Sequence, residues 1–140
     1  MQLQGDEGWR LTVDPSRQPF AVLVGGPDWA AELSLVEARG LRDSLLRLRQ
    51  QHDSLRSQLM AEEALELELE RPLTAADGRA CGELWLGLEA ADCQGWALRF
   101  VLTPQPGQRA VEGHWPPQAA LAFAAALIAH PLLEAAPSGA

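Results

Sequence analysis

The chain has 140 residues, 47% of them hydrophobic and 21% charged, which is the composition of one soluble globular domain with its own core. Eleven basic residues, all of them arginine, stand against nineteen acidic ones, so the net charge is −8 and nucleic acid is a disfavoured partner. No apolar run reaches the roughly 20 residues of a membrane span, and the opening MQLQGDEGWR does not resemble a signal peptide. We therefore expect a cytoplasmic protein without a membrane partner.

Three short strands are predicted before the first helix. Residues 9–13 (WRLTV) alternate between apolar and polar side chains, and residues 20–24 (FAVLV) follow the turn sequence DPS. The sequence GGPD breaks this second strand, and residues 29–33 (WAAEL) predict a third. The three strands would form an antiparallel meander.

A long amphipathic helix is predicted next. Ser34 and Glu37 form a capping box, in which each side chain can satisfy a free backbone amide of the first turn, and the helix is expected to run to about Glu63. Its apolar stripe either covers a sheet or pairs with another helix. Because the stripe is longer than a small sheet is wide, we expect a homodimer through these residues: Leu41, Leu45, Leu48, His52, Leu55 and Leu59.

Four strands and a second helix are predicted for the rest of the chain. The strands are residues 63–71 (EALELELER), which Pro72 is expected to end, 83–89 (ELWLGLE), 96–102 (WALRFVL) and 110–115 (AVEGHW). The helix starts after Pro116 and Pro117, runs from Gln118 to about Ile128 and is apolar nearly all round, which is typical of a buried helix.

The predicted order is β-β-β-α-β-β-β-β-α, an α+β fold of two antiparallel meanders, each closed by a helix. Each helix follows a strand that contains a tryptophan, Trp29 or Trp115, which indicates a faint internal duplication. We expect one domain over residues 1–140, with a globular part from about 7 to 130 and a frayed tail over 131–140.

Four segments carry a family resemblance. In chain order they are EGWRLTVDPSR, FAVLVGGPDWAAEL, ALRFVLT and RAVEGHWP, and together they resemble the cyanobacterial domain-of-unknown-function family 1818 from about Glu7 to the second helix. The resemblance implies a fold similar to the Whirly and transcriptional-coactivator single-stranded-DNA-binding domains. It implies no activity, and the lysine-containing motif of the plant Whirly proteins has no counterpart here, since the chain has no lysine.

The glutamates of EALELELER allow three interpretations. Glu66, Glu68 and Glu70 point away from the leucines, as do Glu83 and Glu89 on the neighbouring strand. The simplest interpretation is pairing with outward arginines across strands, which also protects a sheet edge against aggregation. The alternatives are an acidic ridge that recruits a basic partner and, least favoured because carboxylates repel phosphate, a nucleic-acid groove.

Tryptophans and arginines supply the candidate binding surface. Trp9, Trp29 and Trp96 occupy inward positions and are expected in the core, whereas Trp85 points outward. An outward tryptophan is covered by a loop, lies at an interface, or is available for base stacking. The candidate partner or nucleic-acid surface consists of Arg10, Trp85, Arg99 and Arg109.

No catalytic, metal or cofactor site is predicted. His52 and His114 lack metal-ligand spacing, and Cys81 and Cys93 fit no zinc or redox motif and are expected as free thiols. The residues Gly25 and Gly26 are explained by a tight turn. We therefore expect a non-catalytic protein-binding adaptor or regulatory module, and the alternative is a divergent binder of single-stranded DNA or RNA.

Overall fold

The computed structural model describes residues 2–4, 8–56, 64–91 and 95–134. The first antiparallel sheet contains β1 (Gln2–Gln4), β2 (Arg10–Val13), β3 (Val22–Gly25) and β4 (Ala30–Leu33), in that order. Helix α1 (Leu35–Arg56) leads to the second sheet, whose order is β5 (Ala64–Thr74), β6 (Ala80–Ala91), β7 (Ala97–Thr103) and β8 (Val111–Trp115). Helix α2 (Pro117–Ala129) and a short 3₁₀ helix (Pro131–Leu133) follow. The α+β class with two antiparallel sheets and two helices is confirmed.

Three details differ from the sequence prediction. Strand β1 was not predicted, because three residues are too few to show a clear pattern. Pro72 does not end its strand, since β5 lies at the edge of the sheet, where a missing backbone donor is tolerated. The segment predicted to fray from Pro131 begins as a 3₁₀ helix, and Leu133 within it is fully buried.

The capping box at the start of α1 is confirmed in both directions. The Ser34 amide donates to Glu37 Oε1 at 2.8 Å, and the Glu37 amide donates to Ser34 Oγ at 3.2 Å. Gly40 lies in the second turn, where a Cβ would be 2.4 Å from Leu73 Cδ2 of β5. Glycine is a poor helix former, but its lack of a side chain allows α1 to lie close to the second sheet at this position.

The leucine rows of the second sheet face the helices, as predicted. Leu98 and Phe100 are buried, and the leucines of β5 (Leu65, Leu67 and Leu69) pack against the same core but are only partly buried. Their incomplete burial follows from the position of β5 at the sheet edge. The predicted register of the strand is therefore confirmed, since a shift by one residue would have turned the glutamates inward.

Two tryptophans join the halves of the molecule by reciprocal hydrogen bonds. Trp29, just before β4, donates from Nε1 to the His114 carbonyl in β8 at 2.9 Å. Trp115 of β8 donates from Nε1 to the Gly25 carbonyl in β3 at 2.8 Å. The two rings lie 5.0 Å apart, and Trp115 also stacks on Phe123 of α2 at 4.0 Å. Each half therefore donates one indole N–H hydrogen bond to a backbone carbonyl of the other half.

The end of α2 is held by arginines of α1. Arg42 Nε donates to the Ile128 carbonyl at 3.2 Å, and Arg39 Nη2 donates to the Leu132 carbonyl at 3.4 Å. Cations near the last carbonyls of a helix complement its dipole. Arg42 is mostly covered and makes this contact.

His130 follows α2 and is 1% exposed. Its Nδ1 accepts a hydrogen bond from the Leu132 amide at 3.2 Å, so the ring must be neutral at that nitrogen, and burial lowers the pKa of His130. Because the unfolded chain binds this proton more readily, we expect stability to fall as the pH drops below the reference value of about 6.5. Urea unfolding across this range, followed by circular dichroism, measures the effect.

The matched variant for that measurement is His130→Asn, which keeps an acceptor for the Leu132 amide but does not titrate. Its loss of stability at acidic pH should be smaller than that of the wild type. Equal losses in the two proteins would show that His130 does not contribute to the pH dependence.

Candidate functional site

The outward face of the second sheet carries the most distinctive set of polar side chains. Directly paired residues of antiparallel strands share a face, so the register places one row across all four strands. This row consists of Glu68, Gly87, Arg99 and His114. Neighbouring rows on the same face add Glu66 with Glu89 on one side, and Glu70, Trp85, Val101 and Glu112 on the other.

The charge of this face is strongly negative. Six glutamates lie on it with a single arginine: Glu66, Glu68, Glu70, Glu83, Glu89 and Glu112 against Arg99. Arg99 is paired with Glu112, its Nη2 lying 3.6 Å from Oε2. No other glutamate of the face has an ion-pair partner within the described ranges. The predicted pairing of glutamates with arginines across these strands is therefore wrong except for this one pair.

Trp85 lies across the sheet above a glycine. A Cβ on Gly87 would be 2.6 Å from Trp85 Cη2, so the absence of a side chain at Gly87 makes room for the ring. Trp85 Nε1 donates to Glu68 Oε2 at 3.3 Å, and the side chain remains partly exposed. The ring is thus held from below and at one edge by its own sheet.

A groove of about 310 Å³ opens beside this ring. Its floor is made by two small residues, Gly87 and Ala97, on adjacent strands. The side chains around the floor are those of Glu66, Glu68, Trp85, Glu89, Arg99 and His114. A second depression of about 210 Å³ shares Arg99 and His114 and reaches Asp28 beyond β8. Both depressions are lined by carboxylate residues, Glu66, Glu68 and Glu89 in the first and Asp28 and Glu112 in the second.

The predicted surface residues are only partly brought together. Trp85 and Arg99 line the same groove, but Arg10 lies on β2 in the other sheet and Arg109 lies in the exposed segment before β8. Neither of these two arginines lines the groove. The nucleic-acid platform predicted from Trp85, Arg10 and Arg99 is therefore not assembled.

The leucine stripe of α1 is used inside the chain. Leu41, Leu45 and Leu48 are at most 1% exposed and His52 is 7% exposed, because the helix packs on β5, β6 and α2. Leu55 is partly buried, and Leu59 lies outside the described residues. These four buried side chains offer no surface to a second copy, so the expected homodimer stays a prediction that requires other residues.

Sequence reasoning missed two residues that shape the groove. Gly87 makes room for Trp85, and an isolated glycine within the alternating sequence ELWLGLE was the signal for such a close approach. His114 lines the groove from β8, and its pairing with Arg99 depends on a long-range register that the local sequence does not contain.

In the part of the chain that the structure describes, no site for metal or thiol chemistry is assembled. Within those ranges, no group of three or more His, Cys, Asp or Glu side chains could hold a metal ion. Cys81 is a free, partly buried thiol, and Cys93 lies outside the described residues. None of the helices described is both long and apolar enough to cross a membrane.

Comparison with known proteins identifies the family. A model of the domain of unknown function DUF1818 matches residues 4–129. The chain belongs to the DUF1818 family. A crystal structure of a protein of unknown function from the DUF155 family of Prochlorococcus sp. NATL2A, determined at 1.80 Å resolution, is similar to this chain. The two share 32% identity over 91% of this chain and 95% of the other, with a TM-score of 0.76.

No curated protein matches the chain. The cyanobacterial source of the similar structure agrees with the resemblance found in the sequence. Neither comparison names an activity or a ligand, so the groove is the basis for the function proposed for this DUF1818 protein.

Proposed function

We propose that this DUF1818 protein is a non-catalytic protein-binding module, in which the groove on the second sheet receives a basic segment of a partner protein. The observation that carries the proposal is the position of Trp85. Its ring is fixed over Gly87 and by Glu68, while one side borders a groove rich in carboxylates. An aromatic ring beside carboxylates is a good environment for a cation, in particular a guanidinium group.

The charge balance of the face supports a basic occupant. Five of its six glutamates lack an ion-pair partner among the described residues, so an incoming cation would not have to displace an existing one. The sixth, Glu112, is paired with Arg99 at one side of the groove. Complementary charge accelerates association and selects against acidic partners. Tryptophan is also enriched among residues that dominate binding energies at interfaces.

The alternative is a divergent binder of single-stranded DNA or RNA. It is supported by the arrangement of two four-stranded sheets, each followed by a helix, which we infer to be two repeats of a Whirly-like unit. The presence of Trp85 and Arg99 in one groove also favours it. However, phosphate binding requires neutralisation by cations, and the groove offers one guanidinium that is already paired with a carboxylate.

Binding to a short fluorescein-labelled oligo-arginine peptide tests the proposal by fluorescence anisotropy. We expect saturable binding that is weakened about tenfold by Trp85→Ala, because the cation loses its aromatic surface. Glu68→Gln, which removes one carboxylate, should weaken binding by up to about fivefold. A labelled single-stranded oligonucleotide at the same salt concentration should bind more weakly than the peptide.

The control separates the groove from the general negative charge of the protein. Glu134→Gln removes one exposed carboxylate just after the 3₁₀ helix, away from the groove, and should leave the affinity unchanged. If Glu134→Gln and Glu68→Gln weaken binding equally, the attraction is non-specific and the proposed site is wrong. Tighter binding of the oligonucleotide than of the peptide would instead favour the alternative function.

A further inference from the structure

Arg71 occupies a position that the pattern of its strand assigns to a leucine. The inward positions of β5 are Leu65, Leu67, Leu69, Arg71 and Leu73. Arg71 pairs directly with Leu84 of β6, which is fully buried, so both side chains lie on the face that α1 covers. A guanidinium group on the core side of a sheet is costly unless it gains interactions there.

Among the described residues, the side chain of Arg71 has no such hydrogen-bond or ion-pair partner. Asp43, the acidic residue that lines the same cavity, is held by Arg42, whose Nη1 lies 3.1 Å from Asp43 Oδ1. No described residue therefore engages the donors of Arg71, which can serve a ligand.

A cavity of about 230 Å³ lies where Arg71 faces α1. Arg39 of α1 lines it as well, and the one hydrogen bond that its side chain makes with described residues is the long contact of 3.4 Å to the Leu132 carbonyl. Thr74, at the end of β5, also lines the cavity. Two arginines thus line one cavity in a protein whose net charge is −8, and Asp43 is the acidic residue of its wall.

We propose that this Arg39–Arg71 cavity binds a phosphate group, either inorganic phosphate or the phosphate of a small monoester. A carboxylate has two oxygen atoms, which one guanidinium can satisfy in a bidentate pair. A phosphate offers at least three acceptor oxygens and a charge of about −1.5 to −2, which match two guanidinium groups. The cavity lies on the α1 side of the second sheet, so it is separate from the Trp85 groove on the outward side.

Isothermal titration calorimetry of the intact protein with sodium phosphate tests the proposal. We expect saturable binding by the wild type, and an affinity at least about tenfold lower in both Arg71→Leu and Arg39→Gln, since each loses a charged donor. Arg71→Leu restores the leucine pattern of β5 and should remain folded by circular dichroism. Arg39 is exposed, so Arg39→Gln provides a second variant that does not alter the core.

Arg47→Gln is the matched control, because it removes an exposed arginine from the same helix at a position outside the cavity. It should bind phosphate as the wild type does. No saturable binding by the wild type, an equal loss in Arg47→Gln, or acetate binding as tightly as phosphate would each overturn the proposal. Titration with phenyl phosphate distinguishes the sources: tighter binding than that of inorganic phosphate indicates a monoester, and weaker binding indicates free phosphate.

Discussion

Replacing Trp115 with alanine is expected to lower the free energy of unfolding by about 3–5 kcal/mol through the cavity that it leaves. The ring is fully buried between Trp29, Phe100 and Phe123, so the space cannot fill with water at low cost. The Gly25 carbonyl also loses its donor, which adds a cost of about 1–3 kcal/mol. Because domains of this size are stable by only about 5–15 kcal/mol, Trp115→Ala should lose a large part of the stability of the protein.

Urea unfolding followed by far-ultraviolet circular dichroism measures this loss. Trp115→Phe keeps an aromatic ring but removes the donor to Gly25, so its loss should be intermediate. Trp85→Ala is the control for the removal of a tryptophan, and it should cost far less because that ring lies on the surface. A loss of stability in Trp115→Ala no greater than in Trp85→Ala would contradict the role of Trp115 as the contact between the two halves.

Gly113→Ala should destabilise the protein by about 1–3 kcal/mol, the range for overpacked cores. A Cβ at this position would be 2.3 Å from Trp29 Cη2, so the ring would have to move. Trp29 is held by its hydrogen bond to the His114 carbonyl and by contacts with Phe100 and Trp115, and its movement would disturb all three.

Gly87→Ala gives the matched comparison, because there too a Cβ would meet a tryptophan ring, that of Trp85. This ring lies at the surface and can swing away, so the loss of stability should be clearly smaller, while oligo-arginine binding should weaken. A double-mutant cycle of Gly113→Ala with Trp29→Leu isolates the clash, since the alanine should cost less once the ring is absent. Equal costs of Gly113→Ala in both backgrounds would show that the glycine is not there to accommodate Trp29.

Local patterns were sufficient for most of the architecture. The strict alternation of EALELELER determined which face of β5 carries the glutamates, because a strand has a side-chain period of two. The capping box of Ser34 and Glu37 predicted the start of α1 to the residue. The strand β1 was missed, since three residues carry too little pattern to stand out.

The arrangement of the site depended on contacts between distant residues, which local patterns do not contain. Arg10 and Arg99 both occupy outward positions of strands, but assignment to different sheets separates them. Trp115 follows a histidine in a short strand, and its burial results from the docking of the first sheet and α2 onto β8. From the sequence, the leucine stripe of α1 could cover a sheet or meet a second helix. The tertiary structure shows that other parts of the same chain bury the first four residues of this stripe.

Backbone and indole N–H spectra of ¹⁵N-labelled protein, recorded during titration with the oligo-arginine peptide, test the central claim most directly. We predict that the Trp85 indole resonance shifts together with the backbone amides of the residues around the groove, whereas the indole resonance of the buried Trp115 stays in place. Shifts confined to other surfaces, or an unchanged Trp85 indole at saturating peptide, would contradict the assignment of this groove as a binding site for a basic partner.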